Sequence, residues 1–389
     1  MGLSNARLKE FAQAKLADLE KLDLRRELAD TARFSGGKIH RSAKKLISFS
    51  CNDYLGLTHH PDVIKASQEA TQTFGTGSGG SRLVSGNNPL NSQLEALLSK
   101  IKGTEDAVIF GSGYLANVGV IPSLVGRDDL ILIDELSHSC LFAGAKLANA
   151  NIIPFKHRDT TEVSNLLSTH RKLFRHCLVL TDGVFSMDGD IAPMPEIARV
   201  ANNHDAWLMV DDAHGFGVLG KTGAGSVEHF GLSVTDVPVL MGTLGKAIGT
   251  AGAFVAGDES LIEYLIQEAR TYIYTTALPP AVAAATLASL ELVQEEAWRR
   301  DHLNKLIKQF RQGAKELNLE LMNSETAIQP VLVGSASLAL DASEKLLEKG
   351  VLVTAIRPPT VPQGTARLRI TLSAAHTADQ VERLLDTLS

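Results

Sequence analysis

Residues 207–214 read WLMVDDAH. An apolar run that closes on two carboxylates and a histidine has the form of a buried strand whose carboxyl end opens on a site. Two further runs share it: CLVLTD at 177–182, and PVLMGT at 238–243, which continues into LGKAIG. Working outward, DAVIF (106–110), LILID (130–134), NIIPF (151–155) and GAFVAG (252–257) complete a set of seven. Runs that are apolar along their whole length and separated by helix-sized intervals predict a mainly parallel sheet covered on both faces. The implied architecture is a doubly wound α/β domain.

On the N-terminal side, Leu8, Phe11, Leu16, Leu19 and Leu22 recur at helical spacing with charges between them, predicting an amphipathic arm that must pack on something. FSGGKIHRSAKK (34–45) reads as a loop and LISFS (46–50) as a short strand. On the C-terminal side, tandem Pro279 and Pro280 break the alternation. A long helical stretch follows over 281–317, then strand candidates AIQPVLVG, GVLVTAI and ARLRITL, with the helix ASEKLLEKG between the first two. The expected division is an arm with a short strand at 1–50, a large α/β domain at 51–280 and a small α+β domain at 281–389. Nothing in the chain repeats.

Composition narrows the chemistry. The chain has 389 residues, a net charge of −6 and basic residues scattered rather than clustered, so it carries no footprint for nucleic acid or an anionic membrane. Its longest apolar stretch, near Ala281 to Val293, falls short of the roughly 18–20 residues a membrane span requires. Three distant cysteines, Cys51, Cys140 and Cys177, make neither a disulfide framework nor a CxxC metal pair. The expectation is a cytoplasmic enzyme acting on small molecules, with no metal.

Ligands of an open parallel sheet sit beyond the carboxyl ends of its strands. There stand Asp211, Asp212 and His214, Lys246 within TLGKAIG, and Thr181, Asp182 and Ser186. A lysine among small residues just past an apolar strand suits burial, which depresses its pKa and favours a Schiff base. A snorkelling lysine is the plain alternative. A buried Asp211 needs a cationic partner, and a protonated pyridine nitrogen would serve, worth roughly 4 kcal/mol at about 4 Å and an effective dielectric of about 20. The turn at Gly111 and Gly113 in VIFGSGYLANVGV, between strand and helix, suits a phosphate, although glycine also serves turns for steric reasons. FGTGSGGSRLVSGNNP (74–89) could be a mobile substrate-facing loop or a long connection. GFGVLGKT (215–222) matches the nucleotide-binding pattern GxxxxGK[ST]. Its continuation TGAGS is poor helix-forming material, which argues against a phosphate loop.

Eight segments in order resemble the α-oxoamine synthases: NDYLGL (52–57), GTGSGGSRLVSGN (75–87), LSHSC (136–140), DGVFSMDGD (182–190), VDDAHGFGVLG (210–220), TLGKA (243–247), YTTALPP (274–280) and RPPTVPQGTARLRITL (357–372). The resemblance spans Leu46 to Leu372. It implies a homodimeric, pyridoxal 5'-phosphate-dependent transferase of fold type I, aspartate aminotransferase-like, with a seven-stranded, mainly parallel sheet. It also implies active sites at the subunit interface. GTGSGGSRLVSG and VDDAHGFG are the wording of members that join L-alanine to a pimeloyl thioester, carried by coenzyme A or acyl carrier protein. Family members of the 5-aminolevulinate synthase and 2-amino-3-ketobutyrate ligase types, or an aminotransferase of the same fold, are the alternatives.

The resemblance also implies roles. Lys246 would hold the cofactor and later remove the α-proton of the amino acid. Asp211 would pair with the pyridine nitrogen, His214 with the ring hydroxyl, and His138 would stack on the ring and polarise the acyl carbonyl. Gly113, Tyr114 and Thr243, with Thr275 or Thr276 of the partner subunit, would hold the phosphate. Ser186 would contact the ring oxygen region. Arg25, Asn52, His138, Thr360 and Arg369 would meet substrate, Arg369 as a carboxylate clamp.

Overall fold

The computed structural model describes residues 3–22, 24–42 and 44–389. The first two residues of the arm, position 23, and position 43 inside the expected 34–45 loop lie outside them. All seven expected strands form one sheet: β1 (Asp106–Phe110), β2 (Leu130–Asp134), β3 (Asn151–Phe155), β4 (Cys177–Asp182), β5 (Trp207–Asp211), β6 (Val239–Thr243) and β7 (Ala253–Gly257). Their order is β1-β7-β6-β5-β4-β2-β3. Only β7 runs antiparallel to its neighbours.

Alternate residues of each strand feed two apolar layers. Ile131, Ile133, Leu178, Leu180, Met209 and Met241 pack with Ala116, Val120 and Leu141 on one face. Leu130, Leu132, Val179, Leu208, Val210 and Leu240 pack with Val163, Ile197 and Ala201 on the other. Burial on both faces is why these strands read as unbroken apolar runs rather than as an alternation.

Three local expectations are corrected. The stretch 34–45 is not a loop: it carries the strand Lys38–Arg41, which pairs antiparallel with Thr31–Arg33 and with Lys44–Ser48. Ile39 alone of that strand is buried, too little apolar signal to read from sequence. Second, the helical stretch 281–317 is two helices, Pro280–Glu295 and Trp298–Glu316. At the break Arg300 donates to Val293 O at 2.6 Å, and Arg299 donates to Leu55 O at 3.1 Å and to the Glu296 carboxylate. The Arg300 bond satisfies the Val293 carbonyl, which a continuing helix would have used itself. Third, GVLVTAI divides between two sheets, Val351–Leu352 running parallel to Lys44–Ser48 and Thr354–Ile356 antiparallel to Ala366–Thr371. Ile328–Gly334 completes the second of these sheets.

The arm is the helix Leu3–Lys21. Leu8, Phe11, Leu16 and Leu19 are exposed, as is Leu22 just beyond it, so within one chain the apolar side of the arm is uncovered. No helix among the described residues is long and apolar enough to cross a membrane.

Candidate active site

The carboxyl ends of β4, β5 and β6 are neighbours, and the register sets Asp182 directly beside Asp211. Both are buried. Asp182 accepts from the His138 amide at 2.9 Å. Burial, then the charge of Asp211, pushes its carboxyl well above the usual carboxylate range. Asp211 accepts from Asn117 Nδ2 at 2.7 Å and from the Ala213 amide at 3.0 Å, but has no ion-pair partner among the described residues.

Lys246 follows β6, and its Nζ lies 2.8 Å from His214 Nε2. The other ring nitrogen, Nδ1, lies 2.7 Å from Tyr54 Oη. Burial draws the Lys246 ammonium down from the ordinary lysine range, against the pull of Asp211. Burial, then the charges of Lys246 and Arg369, keeps His214 well below the ordinary imidazole range, so the ring is neutral. Tyr54 is pushed up to about 12 by burial and keeps its proton.

Arg369, buried on the strand Ala366–Thr371, reaches across to this cluster. Nε donates to Ser186 O at 2.6 Å and Nη1 to Asn52 Oδ1 at 3.3 Å, leaving Nη2 without a protein acceptor among the described residues. Asn52 Oδ1 also accepts from Tyr54 Oη at 3.2 Å. His138 caps the helix Ser139–Ala148, and its Nδ1 lies 2.7 Å from Cys140 Sγ. Burial lowers the His138 pKa, against the pull of Asp211.

Gly113 opens the helix Gly113–Leu124 behind the cap Ser112, and the amides of Gly113 and Tyr114 have no acceptor among the described residues. Open amides at a helix start suit a phosphate. The Thr243 hydroxyl is engaged within the chain, donating to Gly252 O at 3.1 Å.

The structure therefore brings Lys246, His214, Asp211, His138, Asn52, Ser186 and Arg369 together. It does not bring in Arg25, which pairs with Glu20 at 2.8 Å, or Thr360; both line a separate cavity of about 750 Å³ between the arm and Arg357. Thr276 bridges to Ser81, and among the described residues no hydrogen bond joins Thr275 or Thr276 to the cluster of its own chain. Sequence reasoning missed Tyr54, Asn117 and Cys140 and assigned no role to Asp182. Tyr54 lay inside the quoted NDYLGL, while Asn117 is marked only by being a polar residue on an apolar helix. In GFGVLGKT the chain turns without opening a helix until Ser226, and the buried Lys102 Nζ lies 3.5 Å from Asp212 beneath it. That segment has no phosphate-loop geometry.

The aminotransferase class I and II family model matches residues 44–388. The 8-amino-7-oxononanoate synthase of Nitrosococcus oceani is 54% identical over 353 residues, 91% of this chain and 93% of that one. The chain is an α-oxoamine synthase of that family. A second 8-amino-7-oxononanoate synthase, from Cellvibrio japonicus, is 56% identical to this α-oxoamine synthase, covering 89% of this chain and 86% of its own. A solved serine palmitoyltransferase from S. paucimobilis superposes with a TM-score of 0.92 at 31% identity, covering 98% of this chain and 97% of its own. The 8-amino-7-oxononanoate synthase of Francisella tularensis does so with a TM-score of 0.77 at 31% identity, covering 88% and 96%. The fold of this α-oxoamine synthase is therefore fold type I, as its motifs implied.

Proposed function

We propose that this chain is an 8-amino-7-oxononanoate synthase, condensing L-alanine with a pimeloyl thioester to give 8-amino-7-oxononanoate, carbon dioxide and free thiol. The observation that carries the reading is the pairing of a buried lysine, depressed in pKa, with a buried Asp211 that lacks a cation. Pyridoxal phosphate fits these residues: its protonated ring nitrogen would supply the cation that a buried Asp211 calls for, and the open amides of Gly113 and Tyr114 would hold its phosphate. When bound, the cofactor supplies an electron sink for negative charge on the alanine α-carbon.

The chain's own residues supply the rest. Lys246 would hold the cofactor, and its amine would take the α-proton; burial lowers its pKa and so favours the free-amine form that a base requires. His214 holds Lys246 through a 2.8 Å hydrogen bond and would meet the ring hydroxyl of the cofactor, Ser186 would contact the same oxygen region, and His138 would stack on the ring. Arg369 clamps the alanine carboxylate through its open Nη2, with Asn52 fixing the guanidinium. His138 polarises the acyl carbonyl while the alanine α-carbon bonds to it and the thiol departs, after which the carboxylate leaves as carbon dioxide. Arg25 and Thr360, which line a cavity apart from the Lys246 cluster, would meet substrate groups there, and Thr243 would help hold the phosphate.

We place the active site at a homodimer interface. The uncovered apolar side of the arm supports this, as does the absence among the described residues of any hydrogen bond from Thr275 or Thr276 to the cluster of their own chain, the threonines serving the partner's phosphate site. Three unpaired cysteines agree with a cytoplasmic setting. The test is an assay of alanine against glycine, each with pimeloyl, acetyl and succinyl thioesters. Alanine with pimeloyl should give the highest kcat/KM and release carbon dioxide and thiol in equal amounts; a preference for glycine overturns the assignment.

A further inference from the structure

His138 enters the structure as a helix cap, and the capping bond constrains its chemistry. Its Nδ1 accepts from the backbone amide of Cys140 at 3.3 Å. An amide N–H can only donate, so this long contact favours a lone pair on the nitrogen it faces without by itself fixing the tautomer. The same Nδ1 lies 2.7 Å from Cys140 Sγ. That sulfur is buried, and burial followed by the negative charge of Asp211 pushes the thiol up to about 12, so it retains its proton.

The thiol proton has two acceptors in reach, His138 Nδ1 at 2.7 Å and Asp211 Oδ2 at 3.9 Å. The nearer one wins, because 3.9 Å lies at the outer limit of a hydrogen bond from sulfur. Asn117 also donates to the sulfur at 3.1 Å, which occupies a sulfur lone pair and aims the S–H away from the amide. A directed relay results, running from Asn117 into Cys140 and from Cys140 into His138. Nε2 of His138 has no partner among the described residues.

We propose that Cys140 is a positioning residue: its thiol and its amide together hold His138 as the neutral tautomer protonated at Nε2, so that the ring presents a hydrogen-bond donor to the acyl carbonyl. The catalytic use of that donor rests on the function proposed above; the tautomer does not. A neutral ring of the opposite tautomer would present a lone pair to a carbonyl oxygen and repel it. This orientation is also indifferent to which thioester binds, since it is set entirely by groups behind the ring.

The test reads the tautomer itself. Histidine ring ¹⁵N shifts of the cofactor-loaded protein without substrate, at pH 8, should show His138 as one tautomer, Nε2–H, with His138→Gln used to assign the resonances. In Cys140→Val the S–H is gone and the weaker amide contact remains, so the signal should become a tautomer mixture. The kcat should fall about tenfold, as for a lost orienting hydrogen bond, with KM for alanine little changed. Cys140→Ser keeps a donor and should restore both. An Nδ1–H tautomer in the wild type overturns the proposal, and so does a Cys140→Val protein that keeps the pure Nε2–H form. Because the spectrum is taken on the resting protein, a wild type with the expected tautomer but no activity on alanine and pimeloyl thioester would count against the proposed reaction alone.

Discussion

The side-chain nitrogen of Lys246 and Nε2 of His214 share a hydrogen bond of 2.8 Å in a buried setting. Two bases so close cannot both carry positive charge cheaply. Burial lowers each, and the His214 pKa falls further because of the Lys246 charge. Burial thus favours the uncharged amine of Lys246 and keeps His214 neutral.

Lys246→Ala should abolish the yellow absorbance of the purified protein together with product formation. An unchanged visible spectrum in that variant would remove the central assignment.

Tyr54→Phe deletes the phenol that lies 2.7 Å from His214 Nδ1 and leaves a buried ring nitrogen unserved. The expected loss of stability is about 1–3 kcal/mol, with a drop in kcat because His214 no longer holds its orientation against Lys246. Denaturant melts and steady-state kinetics on the same preparation check both effects.

Arg369→Lys keeps the charge but cannot span Ser186 O and Asn52 Oδ1 with a free nitrogen left over. KM for alanine should rise about tenfold or more while the visible spectrum stays that of the wild type. A KM within twofold of the wild type would show that Arg369 does not clamp the carboxylate.

Lys102→Met strands the fully buried Asp212 without its cation, the ion pair of 3.5 Å being lost. Removing one partner of a buried pair costs about 3–5 kcal/mol, so the denaturant midpoint should fall well below that of the wild type. Asp212→Asn in the same background should recover part of the loss, since the Ser226 amide can still donate to the side-chain oxygen.

His157 bridges Asp134 at 3.0 Å and Asp190 at 2.9 Å. Burial opposes its charge, but the two carboxylates overcome it and raise the pKa from 6.5 to about 10. The folded value lies above the unfolded one, so the native state binds the extra proton. The stabilisation is complete below about pH 6.5, declines as pH rises and is gone once pH passes about 10. His157→Gln should flatten that decline in a series of melts from pH 6 to 10.5; an equally steep decline in the variant would disprove the role.

Six of the seven strands were legible because burial on both faces leaves an apolar run with no competing interpretation, the partly exposed edge strand Asn151–Phe155 reading by its isoleucines alone, and Lys246, Asp211 and His214 were legible because they stand at or just past strand ends. The strand at Lys38–Arg41 was not: one buried isoleucine cannot announce a period. The helix break after Glu295 was equally hidden, since Arg299 and Arg300 act through bonds to Leu55 and Val293 that depend on packing.

Sequence alone determined the seven strands of the central sheet, the candidate lysine that follows one of them and the family its motifs resemble, because these follow from local patterns along the chain. Tertiary structure alone decided that Tyr54, Asn117 and Cys140 stand behind the site and that Arg369 crosses to Asn52, 317 positions away. Hydrogen bonds of that kind depend on distances in space, and separation along the chain carries no measure of them.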